Sequence, residues 1–450
     1  MSIIMQLRFL ALLTIVPLSA VLTGCACPSG GCTPPGTPSA PCVNELSVPD
    51  GELPDFVELA SAEALMPLPA PTETYQLIDA STCQCRAATN MAKANLVELE
   101  RHWAKVVIEC DTENVGKNLC LDRDLLALRA TGLRNEAAGT ALEAFYQLAG
   151  IEVQKSYLQR GIEESQLTLD RIDKFLSKGI ELPGKVDRSV VVGQLAELKD
   201  QKLQLDFLRI QLNGQLQKLM GCPLDEYTFF WPQLEWQPNL VPLDVEAELA
   251  EGLATRSDLR GIGLVICQLE KNTLPVARGV LKFAESTVGT VEPQKGMIHW
   301  LRCFRCNESE LPLRCRQLAL FYSDTEESAT AEIKSAAYQI TLQQQRVVAA
   351  QSLVEQFQNR LRELEKTRDI DNISIFEISN ARAHIYDAQS KLMERVVELQ
   401  ISQVKLRQSQ GILAQECGFS PTLCGEGSCS GACCRCAKQA CSKSKQACRE

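Results

Sequence analysis

The chain has 450 residues, of which 45% are hydrophobic, 23% charged and only 5% aromatic. These proportions argue against wholesale disorder and against a polytopic helical membrane protein, and the low aromatic content favours long helices packed through aliphatic seams. The formal net charge of -10 argues against a nucleic-acid binder, because phosphate contacts require a clustered Lys/Arg surface.

The first 24 residues have the features of a signal peptide. Arg8 precedes an apolar stretch from Phe9 to Leu22, which is shorter than the ~20 residues needed to span a bilayer. Leu22-Thr23-Gly24-Cys25 resembles the lipobox of bacterial lipoproteins, which implies cleavage before Cys25 and attachment of fatty acyl chains such as palmitate to that residue. We therefore expect an exported lipoprotein anchored in membrane lipid through Cys25. The alternative is an ordinary secretory signal with an incidental cysteine.

Composition and patterning divide the rest of the chain into four segments. A Pro- and Gly-rich stretch follows the predicted lipid site and is typical of a tether. Two helical repeats come next, and a Cys-rich tail ends the sequence. The predicted bounds are 1–24 for the signal peptide, 25–72 for the lipidated tether, 73–242 and 243–418 for the repeats, and 419–450 for the tail.

Heptad patterns predict long helices in four segments, roughly 134–177, 187–220, 326–366 and 374–415. The third segment shows the pattern most clearly, with apolar residues every seven positions at Ile333, Ile340, Val347, Val354 and Leu361. Such rows draw helices into a supercoiled seam. Forty residues of helix reach ~60 Å at 1.5 Å per residue, so the sequence predicts a rod.

The rod is predicted to be duplicated. Short turns at 178–184 and 368–374 reverse the chain, and Gly and Pro in the first and Asp, Asn and Ser in the second account for the helix breaks. Under one constant shift along the sequence, Leu216 falls on Leu406 and Gly221 falls on Gly411. Two copies of one antiparallel hairpin explain this correspondence.

The junction between the two copies resembles that of the TolC-like outer-membrane efflux protein family. It reads Leu219-Met220-Gly221-Cys222-Pro223, then Pro242-Leu243-Asp244, then Ala254-Thr255-Arg256-Ser257-Asp258-Leu259-Arg260. Ala88-Thr89-Asn90 is a weaker copy of the last motif. The resemblance covers roughly residues 75–418. It implies a mainly α fold with two tandem long antiparallel coiled-coil hairpins, and a homotrimer that combines a periplasmic α-barrel with a shared twelve-stranded outer-membrane pore.

The resemblance also implies which residues meet other proteins. In the family, the hairpin turns form the far tip and face the periplasmic adaptor and the inner-membrane pump. On this chain the corresponding tip residues are Gly179, Pro183, Asp187, Asp369, Asp371 and Glu377.

The strands implied by the family are difficult to place. A membrane-crossing strand needs ~9 to 11 residues with alternating faces, and the interval from Val106 to Ala130 is too short and too charged for two of them. In the second repeat the candidate strands are Gly279–Phe283, Met297–Phe304 and Leu318–Tyr322, in a region crowded with arginine. We therefore expect a short or degenerate β region, with the pore-forming part reduced or missing.

The 21 cysteines are unusual for such a rod, and many lie between Cys417 and Cys448. Export makes disulfides the default interpretation of this tail, and a soft metal held by thiolates is the alternative. Two further groups are predicted to form local disulfides: Cys83, Cys85, Cys110 and Cys120 at the end of the first hairpin, and Cys303, Cys306 and Cys315 in the second repeat.

The sequence contains no nucleophile elbow, phosphate loop or HExxH motif, so we expect neither an enzyme nor a bound cofactor. The leading hypothesis is an outer-membrane efflux component of a tripartite export system that acts as a passive conduit for solutes. One alternative is a lipid-anchored periplasmic scaffold or spacer that has lost the channel. A weaker one is a metal-handling protein that uses the Cys-rich tail.

Overall fold

The computed structural model describes residues 74–110, 116–179, 188–222, 228–234, 236–291, 299–367, 375–421 and 423. The predicted signal peptide, the lipid site at Cys25, the tether and most of the Cys-rich tail lie outside this range.

Helices dominate the described residues. In the first repeat the elements are β1 (Thr74–Asp79), α1 (Ala80–Asn90), α2 (Ala92–Cys110), α3 (Gly116–Ser177), α4 (Arg188–Met220) and β2 (Thr228–Gln233). In the second repeat they are α5 (Val245–Thr255), α6 (Ser257–Cys267), a 3₁₀ turn (Lys271–Thr273), α7 (Leu274–Ala284), α8 (His299–Thr367), α9 (Ile375–Gln410) and α10 (Leu413–Glu416). The predicted mainly α fold with two tandem hairpins is confirmed.

Four of the five residues of the predicted heptad row are buried, and the fifth, Leu361, is only half-buried. Ile333, Ile340, Val347 and Val354 are at most 2% exposed and belong to one apolar cluster with Leu392 and Val396 of α9. With 62 residues in α3 and 69 in α8, these two helices are roughly 90 to 100 Å long at 1.5 Å per residue. Apolar seams of this kind stabilise helices that local propensity alone would leave marginal.

The four long helices lie side by side in the order α4, α3, α9, α8. Each neighbouring pair is marked by a polar contact: Arg209 with Glu152 at 2.5 Å, Thr168 with Ser379 at 2.7 Å, and Arg346 with Glu398 at 2.8 Å. Helix α3 is thus flanked by both α4 and α9, and α8 contacts α9 on one side. Helices α4 and α8 form the two edges of this layer.

Beyond the ends of α4 and α9, the shorter helices α2 and α6 take their places in the layer beside α3 and α8. Helix α2 begins where α4 ends and packs along α3, so it extends the α4 edge. Helix α6 begins where α9 ends and packs between α3 and α8. Above α6, α7 buries Leu274, Ala277 and Leu281 in a cluster with Leu121 of α3 and Leu318 of α8.

The candidate strands of the second repeat are wrong. Gly279–Phe283 lies in α7, and Leu318–Tyr322 lies in α8, as do the described residues of Met297–Phe304. Helices α3 and α8 extend well beyond the predicted segments, because Leu121 and Leu318 bury one face of each extension against α7. Two arginines of this region pair with one acidic residue: Glu310 contacts Arg278 at 2.6 Å and Arg314 at 3.0 Å.

Two short strands make up the sheet structure of the described residues. Strand β1 pairs with β2 in parallel, with Thr74 opposite Thr228 and Asp79 opposite Gln233. The guanidinium of Arg209 lies 4.1 Å from the Phe229 ring centroid and donates to the Tyr75 hydroxyl at 2.5 Å. Through these contacts, Arg209 of α4 links both strands of the sheet to the first hairpin.

Among the described helices, none combines the length and the apolar composition needed to cross a bilayer.

Candidate functional site

Of the six predicted tip residues, the structure describes two. Gly179 follows α3 with φ +68°, the left-handed conformation that favours glycine at a helix C-terminus. Glu377 lies in the first turn of α9 and is exposed. Pro183, Asp187, Asp369 and Asp371 lie outside the described residues, so their place at the tips stays a prediction.

Each hairpin is closed near its turn by an ion pair. Arg188 at the start of α4 contacts Asp173 of α3 through two hydrogen bonds of 2.7 and 3.2 Å. The Arg188 hydrogen bond lowers the pKa of Asp173, although both side chains are exposed. In the second hairpin Arg382 contacts Glu365 at 3.2 Å. The end of α3 and the start of α9 lie at the same end of the layer, since Thr168 and Ser379 contact each other there.

The junctions between short and long helices are equivalent in the two repeats, and we call each one a collar. In the first, the Asn90 side chain donates to the Met220 carbonyl at the end of α4. In the second, Thr255 donates to the Gln410 carbonyl at 2.6 Å and Arg256 to the Ser409 carbonyl at 3.0 Å, at the end of α9. Such bonds satisfy carbonyls that have no partner within their own helix.

The contacts in the collars account for two sequence features: the glycine that ends each long helix and the motif that contains Arg256 and Asp258. Gly221 and Gly411, predicted to be equivalent, have φ values of +67° and +78°, so each ends its long helix in the left-handed conformation. Arg256 also contacts Asp258 at 2.7 Å and Glu332 at 2.6 Å. Burial of Asp258 opposes its ionisation and is the largest single effect, but the hydrogen bond and charge of Arg256, together with backbone N–H bonds, outweigh it, so the pKa of Asp258 is lowered. The motif therefore joins α5, α6, α8 and α9.

The two edges of the helical layer expose large apolar side chains. On α4, Leu203 and Phe207 are each 68% exposed, and Ile210 is exposed beside them. On α8 the exposed apolar residues are Leu313, Leu320, Tyr338, Leu342, Val348 and Leu353, and α2 adds Leu96, Leu99 and Trp103 to the α4 edge. Large exposed apolar side chains that recur along one helix are a candidate protein-protein contact.

One exposed apolar residue on each edge, Ile210 on α4 and Val348 on α8, lies at the same level of the layer. One level crosses the whole layer through contacts between neighbouring helices: Arg209 with Glu152, Gly150 with Val397, and Glu398 with Arg346. Ile210 lies next to the first of these residues on one edge, and Val348 lies two residues from the last on the other edge. At this level, the α8 edge of one copy can therefore contact the α4 edge of the next copy without a shift between the copies along the helix axes.

The predicted pairing of Cys83 with Cys85 is wrong, whereas a pairing of Cys110 with Cys120 stays a prediction because the Cys110 side chain lies outside the part that the structure describes. Cys85 forms a disulfide with Cys417, 332 residues away, while Cys83 is a fully buried thiol whose pKa is raised to about 12 by burial. The prediction missed this pair because spacing along the sequence gives no sign that α1 and the segment after α10 are neighbours. Cys303, Cys306 and Cys315 share helix α8, and a local disulfide among them stays a prediction.

In the part of the chain that the structure describes, no three side chains of the metal-binding types come together. The tail cysteines beyond Cys417 lie outside it, so the metal-handling alternative stays untested.

Comparison with solved structures addresses the fold. The outer-membrane channel OprN superposes with a TM-score of 0.54 at 13% identity, covering 82% of this chain and 99% of that one. CusC, described in terms of transmembrane channel formation, gives a TM-score of 0.54 at 12% identity and covers 81% and 99%. The Campylobacter jejuni outer membrane channel CmeC gives 0.53 at 12% identity and covers 74% and 85%.

The chain has the TolC-like fold. No family model matches the sequence, and no curated protein is significantly similar to it. At identities of 12 to 13% the structural likeness establishes the TolC-like fold, and function is argued separately. The sequence motifs pointed to this fold correctly. They did not predict the exposed apolar residues at the edges of the layer. The available signal was the helical spacing of Leu203, Phe207 and Ile210 in the sequence.

Proposed function

We propose that this protein is the outer-membrane component of a tripartite export system and acts as a passive conduit for solutes. Three copies would form a ring of twelve long helices, with the acyl chains on Cys25 in the outer membrane and the hairpin tips in the periplasm. Its proposed partners are a periplasmic adaptor and an inner-membrane pump, which the tips would face. The mechanism requires no bond making or breaking at any side chain, so the protein is proposed not to be an enzyme.

The observation that carries this proposal is the pair of edges with exposed apolar side chains, which share a level at Ile210 and Val348. A contact between two different edges of the same chain is heterologous, and such contacts close into rings when the rotation allows it. Burying a side chain such as Leu or Phe stabilises by ~1.5 to 3 kcal/mol. The exposed row on α4 and its counterpart on α8 would supply several such contacts per seam. The structural neighbours are outer-membrane channels with the same fold, which supports the ring.

A second candidate function rests on the helical replacement of the expected strands. Five residues, 111–115, separate α2 from α3, fewer than the ~9 to 11 that one membrane-crossing strand needs. In the second repeat, α7 and the start of α8 occupy the candidate strands. The same rod would then serve as a periplasmic scaffold or spacer, with the lipid at Cys25 as its main attachment to the outer membrane.

Two measurements on the purified full-length lipoprotein separate these functions. Mass determination in detergent gives the oligomeric state, and conductance in liposomes reports the conduit. We expect a trimer with conductance; a trimer without conductance supports the spacer, and a monomer refutes the ring.

The edge contact is tested with Phe207→Glu on α4 and Val348→Glu on α8. Each is expected to shift the protein from trimer to monomer while the helical circular dichroism stays unchanged. The matched control is Phe283→Glu, because Phe283 is also an exposed aromatic side chain but lies on α7, away from the α4 edge. If the control dissociates the trimer as strongly as the edge variants do, the assignment of the edges is wrong.

A further inference from the structure

The end of the second repeat docks onto the first repeat. After Gly411 the chain forms α10, and Leu413 and Ala414 are fully buried. Helix α10 packs against α3 and α1, both from the first repeat. We call residues 412–419 the latch. The equivalent position in the first repeat, residues 223–227 after Gly221, lies outside the described residues.

Polar contacts position the latch on α1 and α3. Gln84 of α1 donates to the Leu413 carbonyl at 2.8 Å and to the Glu416 carboxylate at 2.7 Å. The Leu413 amide donates to the Asn135 side chain of α3 at 3.0 Å. Next to these bonds, the Arg134 guanidinium lies 4.4 Å from the centroid of the Phe419 ring. The bonds to the Leu413 carbonyl and amide are buried, and the bond to Glu416 is partly buried.

The disulfide between Cys85 and Cys417 adds a covalent link to this contact. Cys85 follows Gln84 directly, and Cys417 follows Glu416, so the bond and the Gln84 hydrogen bonds join the same two segments. Both cysteines are half-buried, which leaves the bond within reach of a reductant at the protein surface. A half-buried disulfide beside a small set of hydrogen bonds is a suitable place for control by thiols.

We infer that the latch is a redox-controlled clasp between the two repeats. In the oxidised state the disulfide holds the latch on α1 and α3. A dithiol reductant of the thioredoxin class opens it: its two thiols transfer two electrons and two protons, the bond between Cys85 and Cys417 breaks, two cysteine thiols form, and the reductant becomes a disulfide. This inference is independent of whether the protein forms a conduit or a spacer.

The second collar confines the release to the latch. The Gln410 carbonyl is bound by Thr255 and the Ser409 carbonyl by Arg256, so the end of α9 remains fixed when the disulfide is broken. Gly411, with φ +78°, lies between this fixed end and the latch and serves as the hinge. Release therefore separates residues 412–419 from α1 without moving α9 along α3.

Hydrogen-deuterium exchange on the full-length protein tests this inference. The oxidised wild type is compared, without reductant, with the double variant Cys85→Ala/Cys417→Ala. We expect amides of residues 412–419 to exchange at least tenfold faster in the variant, while amides of α9 from 378 to 405 keep their wild-type rates. Cys222→Ala is the matched control, since Cys222 is a half-buried cysteine of the first collar, and it should leave the latch unchanged.

A thioredoxin-type reductant added to the folded wild type should reproduce the variant's exchange pattern and remove the cross-linked peptide containing Cys85 and Cys417. Three results would overturn the inference: unchanged exchange in the latch, faster exchange along the whole of α9, or a bond that resists the reductant until the protein unfolds. The first shows that the disulfide does not hold the latch. Faster exchange along α9 shows that the disulfide stabilises the whole fold and not the latch alone. Resistance to the reductant shows that the disulfide is not controlled by thiols.

Discussion

The buried ion pair between Arg209 and Glu152 gives the most specific prediction about stability. Their side chains are 5% and 6% exposed and lie 2.5 Å apart. Replacing Arg209 by Met leaves the carboxylate of Glu152 buried without its cation, which costs about 3 to 5 kcal/mol. It also removes the contact with the Phe229 ring at 4.1 Å, worth about 1 kcal/mol. For a chain of this length the sum corresponds to a melting temperature lowered by about 4 to 8 °C.

The assay is thermal unfolding followed by circular dichroism at 222 nm. The double variant Arg209→Met/Glu152→Leu removes both charges, and we expect it to melt within about 2 °C of the wild type, because a buried pair replaced by apolar residues is often neutral. The control is Lys155→Met, which breaks the more exposed pair with Asp206 in the same interface and should cost less than about 1 kcal/mol. If Arg209→Met costs no more than this control, or if the double variant is as unstable as the single one, the reasoning fails.

Three further predictions concern the helices and their ends. Gly411→Ala should lower the melting temperature by a few degrees, since φ +78° costs an L-residue about 1 to 2 kcal/mol; an unchanged value would show that this turn relaxes. Gly150→Val should destabilise by about 1 to 3 kcal/mol, because an added Cβ would lie 3.0 Å from Val397, whereas Gly193→Ala, with open space around it, should stabilise by about 0.5 to 1 kcal/mol; both are measured by urea unfolding. The hydrogen bond from Arg278 holds the pKa of Glu310 below its ordinary 4.5, so its stabilisation is complete above pH 4.5 and is lost as the pH falls through the lower folded value; the stability deficit of Glu310→Gln should be present at pH 7 and vanish in acid, and a deficit independent of pH would contradict this assignment.

The sequence predicted the hairpins well because their packing is periodic. The row Ile333, Ile340, Val347 and Val354 repeats every seven residues and is buried as expected. The equivalence of Gly221 and Gly411 was also predictable, since a helix that ends in the left-handed conformation favours glycine. These features depend on local spacing and backbone conformation, which a sequence records directly.

The features that sequence reasoning missed depend on contacts between distant segments. The helical extensions of α3 and α8 are stabilised by α7, and Glu310 in the extension of α8 pairs with Arg278 of α7 and with Arg314. The pairing of Cys85 with Cys417 depends on the docking of α10. The level match between Ile210 and Val348 requires four helices to be in place. None of these contacts leaves a periodic signal in the sequence.

The disulfide between Cys85 and Cys417 also changes the topology of the chain. Because it joins the first helix of one repeat to the end of the other, the polypeptide between them forms a closed covalent loop that contains both hairpins. A single protease cut at either turn would leave the two pieces connected, and only two cuts would release a fragment. The closed loop also opposes domain swapping: two copies that exchanged their second repeats would form this bond between chains, and would run as a cross-linked oligomer on a non-reducing gel.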